Sequence, residues 1–212
     1  MWPLADIADE IEATLRREAE RCDREQAVRG LDTLDEIDLH PILADGLRHA
    51  GYGVAREQRY PSDWKRRRET EGERCDLVLT NDGRPLRVPD RRATLFDDPD
   101  AVDLDEALWL EVKVVLQHTE EGPNARYASS LLSTVRQDVA KLSKDDGILH
   151  AALLIVLFVA DAMVAEHDLG IWQNKCLDRG LPIGAPYRRT REITDRLGNR
   201  ACVIALYPVG RA

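Results

Sequence analysis

Apolar residues near the N-terminus recur at helical spacing. Leu4, Ile7, Ile11 and Leu15, with charged residues between them, predict an amphipathic helix over residues 4–28. Its acidic and basic residues read as a solvated face, and the helix is expected to pack outside the core. Leu39, Ile42, Leu43 and Leu47 predict a second helix over residues 36–50. There Asp38 is a plausible N-cap, Pro41 falls in the first turn, and Ala50-Gly51-Tyr52-Gly53 ends the helix.

The pattern then changes. Residues 52–60, 74–80 and 108–117 read as strands, the first broken by Tyr60-Pro61-Ser62-Asp63. Leu131, Val135, Val139 and Leu142 form the buried stripe of a helix capped by Asn124 and running to about Leu142. Residues 151–160 are apolar on both faces, which predicts a central strand covered by helices. Residues 162–179 read as a helix anchored by Trp172 and Leu177. Residues 188–195 and 200–208 read as a closing strand pair. The expected fold class is α/β, a central mixed sheet of four to six strands flanked by helices. The expected organisation is one domain over 1–212. It comprises an N-terminal helix within 1–30, a core over 36–160 with a charged insertion at 81–106, and a C-terminal helix and strand pair over 161–212.

One strand carries charge where the pattern calls for none. In Trp109-Leu110-Glu111-Val112-Lys113-Val114-Val115, alternation puts Glu111 and Lys113 on one face and Leu108, Leu110, Val112, Val114 and Leu116 on the other. Charge among Val and Leu is costly unless it is paired or bound to metal. A second acid, Asp76, stands at the start of Asp76-Leu77-Val78-Leu79, another strand-like run. Carboxylates and a lysine in this arrangement suit a hard cation and a phosphate.

This set, with helix, strand, strand, strand, helix, strand in that order, resembles the PD-(D/E)XK nuclease-like superfamily. The resemblance implies a restriction-endonuclease-like core (α-β-β-β-α-β) with an N-terminal helix and a C-terminal β-hairpin. It implies metal-dependent hydrolysis of phosphodiesters in nucleic acid, most naturally DNA, with Mg²⁺ or Mn²⁺ as cofactor. Asp76, Glu111 and the Val112 carbonyl would hold the metal, and Lys113 would act on the attacking water. Glu36 would be an added acid from the second helix. Gln137, Lys141, His40 and Arg56 would lie behind the ligands or touch substrate. The alternative is a catalytically inactive domain of the same fold that binds a protein or nucleic-acid partner, and homo-oligomerisation stays open. The sequence departs from the superfamily in two ways. Cys75 replaces its proline before Asp76, and the connection from Asp76 to Glu111 is long.

Composition narrows this further. The formal net charge is −9 over 212 residues, which does not suit DNA binding by bulk electrostatics. Any nucleic-acid site must be local. Candidates are Trp64-Lys65-Arg66-Arg67-Arg68, the insertion arginines Arg84, Arg87, Arg91 and Arg92, and Arg188, Arg189 and Arg191. The acidic run Asp97, Asp98, Asp100, Asp103, Asp105 and Glu106 opposes them. Cys22, Cys75, Cys176 and Cys202 are scattered without zinc spacing and read as buried thiols in a reducing cytosol. No signal peptide is evident, and the longest apolar run is too short to span a bilayer, so the expected location is cytoplasmic with no membrane partner. P-loop, dinucleotide, Gly-x-Ser-x-Gly and His-Glu-x-x-His motifs are absent.

Overall fold

A computed structural model describes residues 2–65, 72–87 and 99–211. The chain is α/β, with a six-stranded mixed sheet flanked by helices. Helices α1 (Leu4–Arg24) and α2 (Glu36–His49) precede strands β1 (Gly53–Arg59), β2 (Arg74–Thr80) and β3 (Leu108–Leu116). A two-residue strand pair, β4 (His118–Thr119) and β5 (Gly122–Pro123), leads to α3 (Tyr127–Ser129). A π-helical stretch, Ser130–Thr134, joins α3 to α4 (Val135–Lys144). Strand β6 (His150–Val159), helix α5 (Ala162–Leu177) and strands β7 (Tyr187–Glu192) and β8 (Ala201–Val209) complete the chain. The sheet order is β1-β2-β3-β6-β8-β7. The β3–β6 pair is parallel and the other neighbours are antiparallel.

β6 is buried from Ala151 to Val159 at the centre of the sheet, as its two-sided apolarity requires. On one face α1 and α2 pack against Leu77, Leu79, Leu108, Leu110 and Val112. On the other, α4 and α5 pack against Trp109, Val115, Ile155 and Leu157. The alternation read from β3 is therefore the observed one.

Several expectations need correction. α1 does not lie outside the core, because Ile7, Ile11 and Leu15 are fully buried against the sheet. Burying each of these side chains is worth about 1.5–3 kcal/mol before entropy is counted. The N-cap of α2 is Asp35, which accepts from the Asp38 amide, so Asp38 is already helical. Pro41 consequently lies in the second turn. Asn124 does not cap a helix. It accepts from the Arg126 amide in a turn, and the helical region starts at Tyr127. Leu177 is half exposed, leaving Trp172 as the anchor of α5. The four cysteines are free and buried. Among the described residues no helix is long and apolar enough to cross a membrane.

The feature that positions the site is a parting of strands. β2 and β3 pair at Leu79–Leu108, Val78–Trp109 and Leu77–Leu110, and the ladder stops there. The next pair in register would be Asp76 with Glu111. On the other side of β2, the ladder to β1 skips Glu57, whose φ of 52° is left-handed. A non-glycine residue pays to sit there. Asp76 is thus flanked by breaks in both of its ladders.

Candidate functional site

Where β2 leaves β3, the Val112 amide lacks a β2 carbonyl. The Asp76 side chain replaces it: Asp76 Oδ2 accepts from the Val112 N–H at 2.7 Å in a buried position. One strand's acid thereby becomes fixed against the backbone of the next. That bond leaves Asp76 Oδ1 facing His40, with Nε2 at 3.8 Å.

α2 lays its first two turns across this opening. Glu36 and His40 are four residues apart, so they share one helix face. His40 is only 4% exposed, and its Nε2 is buried with no hydrogen-bond partner. Its Nδ1 lies 3.7 Å from Glu57 Oε1, so the strained residue of β1 brings its carboxylate to the back of the imidazole. Ligand atoms of Glu36, His40 and Asp76 all lie within 4.8 Å of one another, a spacing that can hold a metal ion.

Glu111 enters from β3 and is 3% exposed. Tyr60, at the end of β1, donates its hydroxyl to Glu111 Oε1. Burial, then the Asp76 carboxylate, raises the Glu111 carboxyl well above the ordinary glutamate range. Burial also pushes the Tyr60 hydroxyl far up, so it remains a donor.

Lys113 lies one alternation further along β3. Its Nζ pairs with Glu36 Oε1 at 2.9 Å and lies 3.6 Å from Asp138 Oδ2. Burial opposes its charge, but Glu36 and Asp138 outweigh that and hold the ammonium protonated, above its ordinary range. Asp138 comes from α4, is 3% exposed, and also meets Lys141 Nζ at 3.3 Å. Burial raises its carboxyl while the two lysines pull it back. Lys141 lies 3.6 Å from Glu73 as well.

The structure thus brings together Asp76, Glu111, Lys113, Glu36, His40 and Lys141. Val112 contributes its N–H to Asp76. Gln137 is exposed on α4, and Arg56 is exposed on β1. Sequence reasoning missed two buried members, Tyr60 and Asp138. Tyr60 was hidden in a strand-ending Tyr-Pro turn. Asp138 could have been found from its spacing: it stands three residues after Val135 and four before Leu142, within the buried stripe. The basic run from residue 66 and Arg91, Arg92, Asp97 and Asp98 lie outside the described residues. Arg189 and Arg191 are not a free patch. They pair with Asp9 and Glu12 of α1 at the far edge of the sheet.

The group is richer in acid than in base. Four carboxyls, Glu36, Asp76, Glu111 and Asp138, face two ammonium groups, Lys113 and Lys141. Even with Glu111 protonated, Glu36, Asp76 and Asp138 outnumber the two ammonium groups, and Glu73 shares Lys141, so a mostly buried place keeps a negative excess, a costly arrangement. A divalent ion would offset that excess, and His40 Nε2, which has no hydrogen-bond partner, lies beside Asp76 Oδ1 in the group that could hold one. No family model, curated protein or solved structure matches this chain.

Proposed function

We propose that this cleft is the centre of a metal-dependent phosphodiesterase acting on nucleic acid, DNA in the first instance, with a restriction-endonuclease-like core. The observation that supports the reading best is the meeting of Asp76, Glu111 and Lys113 at the parting of two strands. Glu36 and His40 close the same opening from α2.

The donor set fits a divalent ion held by Asp76, Glu36 and His40, with Glu111 beside them, and Mg²⁺ or Mn²⁺ is the expected cofactor. The imidazole shifts preference from Mg²⁺ toward Mn²⁺. A bound dication supplies an acidified water and charge neutralisation at phosphate. The chain's own residues do the rest. Asp76, pinned to the Val112 amide, keeps a fixed orientation. Lys113 stays protonated and offers the N–H groups it does not give to carboxylates to a phosphate oxygen or to the attacking water. Lys141 adds a second positive charge from α4. Tyr60 orients Glu111 through its hydroxyl.

The test is direct. With Mg²⁺ or Mn²⁺ and single-stranded, double-stranded or structured DNA, the protein should cleave. Asp76→Ala and Lys113→Ala should each lower the rate by at least about 100-fold. Cleavage that survives both substitutions overturns the assignment. The second reading, a non-catalytic binding module, draws on the net charge of −9. Its signature is no cleavage together with a metal-dependent rise in melting temperature that Asp76→Ala abolishes.

A further inference from the structure

Asp138 has one oxygen that the fold leaves unused. Its Oδ1 meets Lys141, whereas Oδ2 is buried without a hydrogen bond and points to Lys113 Nζ from 3.6 Å. A hydrogen bond there needs an approach of about 0.7 Å. Meanwhile Lys113 rests on Glu36 at 2.9 Å, and Glu36 belongs with His40 and Asp76 to the group that can hold a metal. A glutamate oxygen that ligates a dication is a poorer partner for an ammonium, and the dication repels that ammonium. Lys113 then has to be held from the other side. Among the described residues the remaining acid in ion-pair contact with it is Asp138.

We propose that Asp138 is the positioning residue of the site: it takes over Lys113 when Glu36 turns to the metal, and it keeps Lys141 beside it as a second cation. The proposal rests on the metal-dependent reading above. It assigns Asp138 no contact with substrate. Its role is to convert a lysine shared with a ligand into a lysine held independently of the ligands. The geometry suits this, because Asp138 stands on α4, which packs on the opposite face of the sheet from α2, so the two partners of Lys113 belong to separate helices.

The ammonium groups report this without any need for turnover. In ¹⁵N-labelled protein, a buried and paired lysine NH₃⁺ exchanges slowly enough to be seen, and Lys113→Arg assigns its resonance. In saturating Mg²⁺ the Lys113 signal should persist in the wild type and in Glu36→Gln, and vanish in Asp138→Asn. Loss of the signal in Glu36→Gln overturns the proposal, as does its survival in a folded Asp138→Asn. The Glu36→Gln arm decides the question even where Asp138→Asn does not fold. In the cleavage assay, Asp138→Asn should lower kcat about 100-fold, leave KM for DNA within about threefold, and move the alkaline limb of the pH profile to lower pH. An unchanged kcat and profile count against it. If the wild type cleaves nothing while the ammonium signals behave as expected, the hydrolase reading fails and the positioning role stands.

Discussion

Glu111 is the residue whose ionisation the rest of the site controls. Burial and Asp76 raise its carboxyl, so the metal-free fold holds a proton that the unfolded chain has released above the ordinary glutamate range. Where the folded state binds more protons, stability falls as pH rises. Metal-free protein should therefore lose stability from about pH 5 upward through neutrality, at up to about 1.4 kcal/mol per pH unit for one proton. Glu111→Gln should remove that slope, measured as the difference between wild-type and variant urea unfolding at each pH, in which the five histidines cancel. A dication held beside Glu111 would favour its carboxylate over the protonated form, so metal affinity should rise over the same window. An identical slope in wild type and Glu111→Gln would show that the proton sits elsewhere. Tyr60→Phe tests the other partner. It leaves the buried Glu111 oxygen without its donor and should destabilise the metal-free protein by about 1–3 kcal/mol in the same titration.

At the scale of elements, the site depends on how α2 starts. Asp35 fixes that start through the Asp38 amide, and the next residues along the helix include Glu36 and His40. Asp35→Ala should cost about 1 kcal/mol of stability. It should also shrink the metal-dependent rise in melting temperature, because Glu36 rides on the first turn, which would fray, and His40 follows directly after it. A stability loss with the metal response intact would separate the cap from the site. The same element shows what a sequence can and cannot disclose. The stripes of α2, α4 and β3 were legible because burial on one side imposes a period of 3.6 or 2 on the residues themselves, and β2 and β6 because burial on both sides makes the run continuously apolar. Asp76, Glu111 and Lys113 were legible because they interrupt those periods. The choice between Asp35 and Asp38 as cap was not, since either acid can cap and only the entry angle of the chain selects one. The parting of β2 from β3 was not legible either, because a ladder that stops leaves no mark in composition. The burial of α1 was misread for a related reason: its many charges describe its outer face and say little about what lies under Ile7, Ile11 and Leu15.

At the scale of the whole molecule, the decisive quantity is where positive charge is free to meet a phosphate. The net charge of −9 repels a polyanion at long range. Arg189, Arg191 and Arg196 are tied to Asp9, Glu12 and Asp23 of α1. Among the described residues the cations of the cleft are Lys113 and Lys141, and both are shared with carboxylates. Each phosphate neutralised by a cation contributes about 0.9 to the slope of log K against log salt on duplex DNA. Two such contacts predict a slope of magnitude about 2, shallow beside the values of basic DNA-binding proteins. Divalent metal, by removing the negative excess of the cleft, should matter more than monovalent salt. A salt titration of DNA binding by Lys113→Ala, with cleavage blocked, should therefore give a slope of magnitude about 1 in the presence of Mg²⁺, and removal of Mg²⁺ should weaken binding more than a fourfold rise in NaCl does. A slope steeper than about 5 would mean that the DNA is gripped by a basic surface other than this cleft, and that the cleft is entered only after that grip is made.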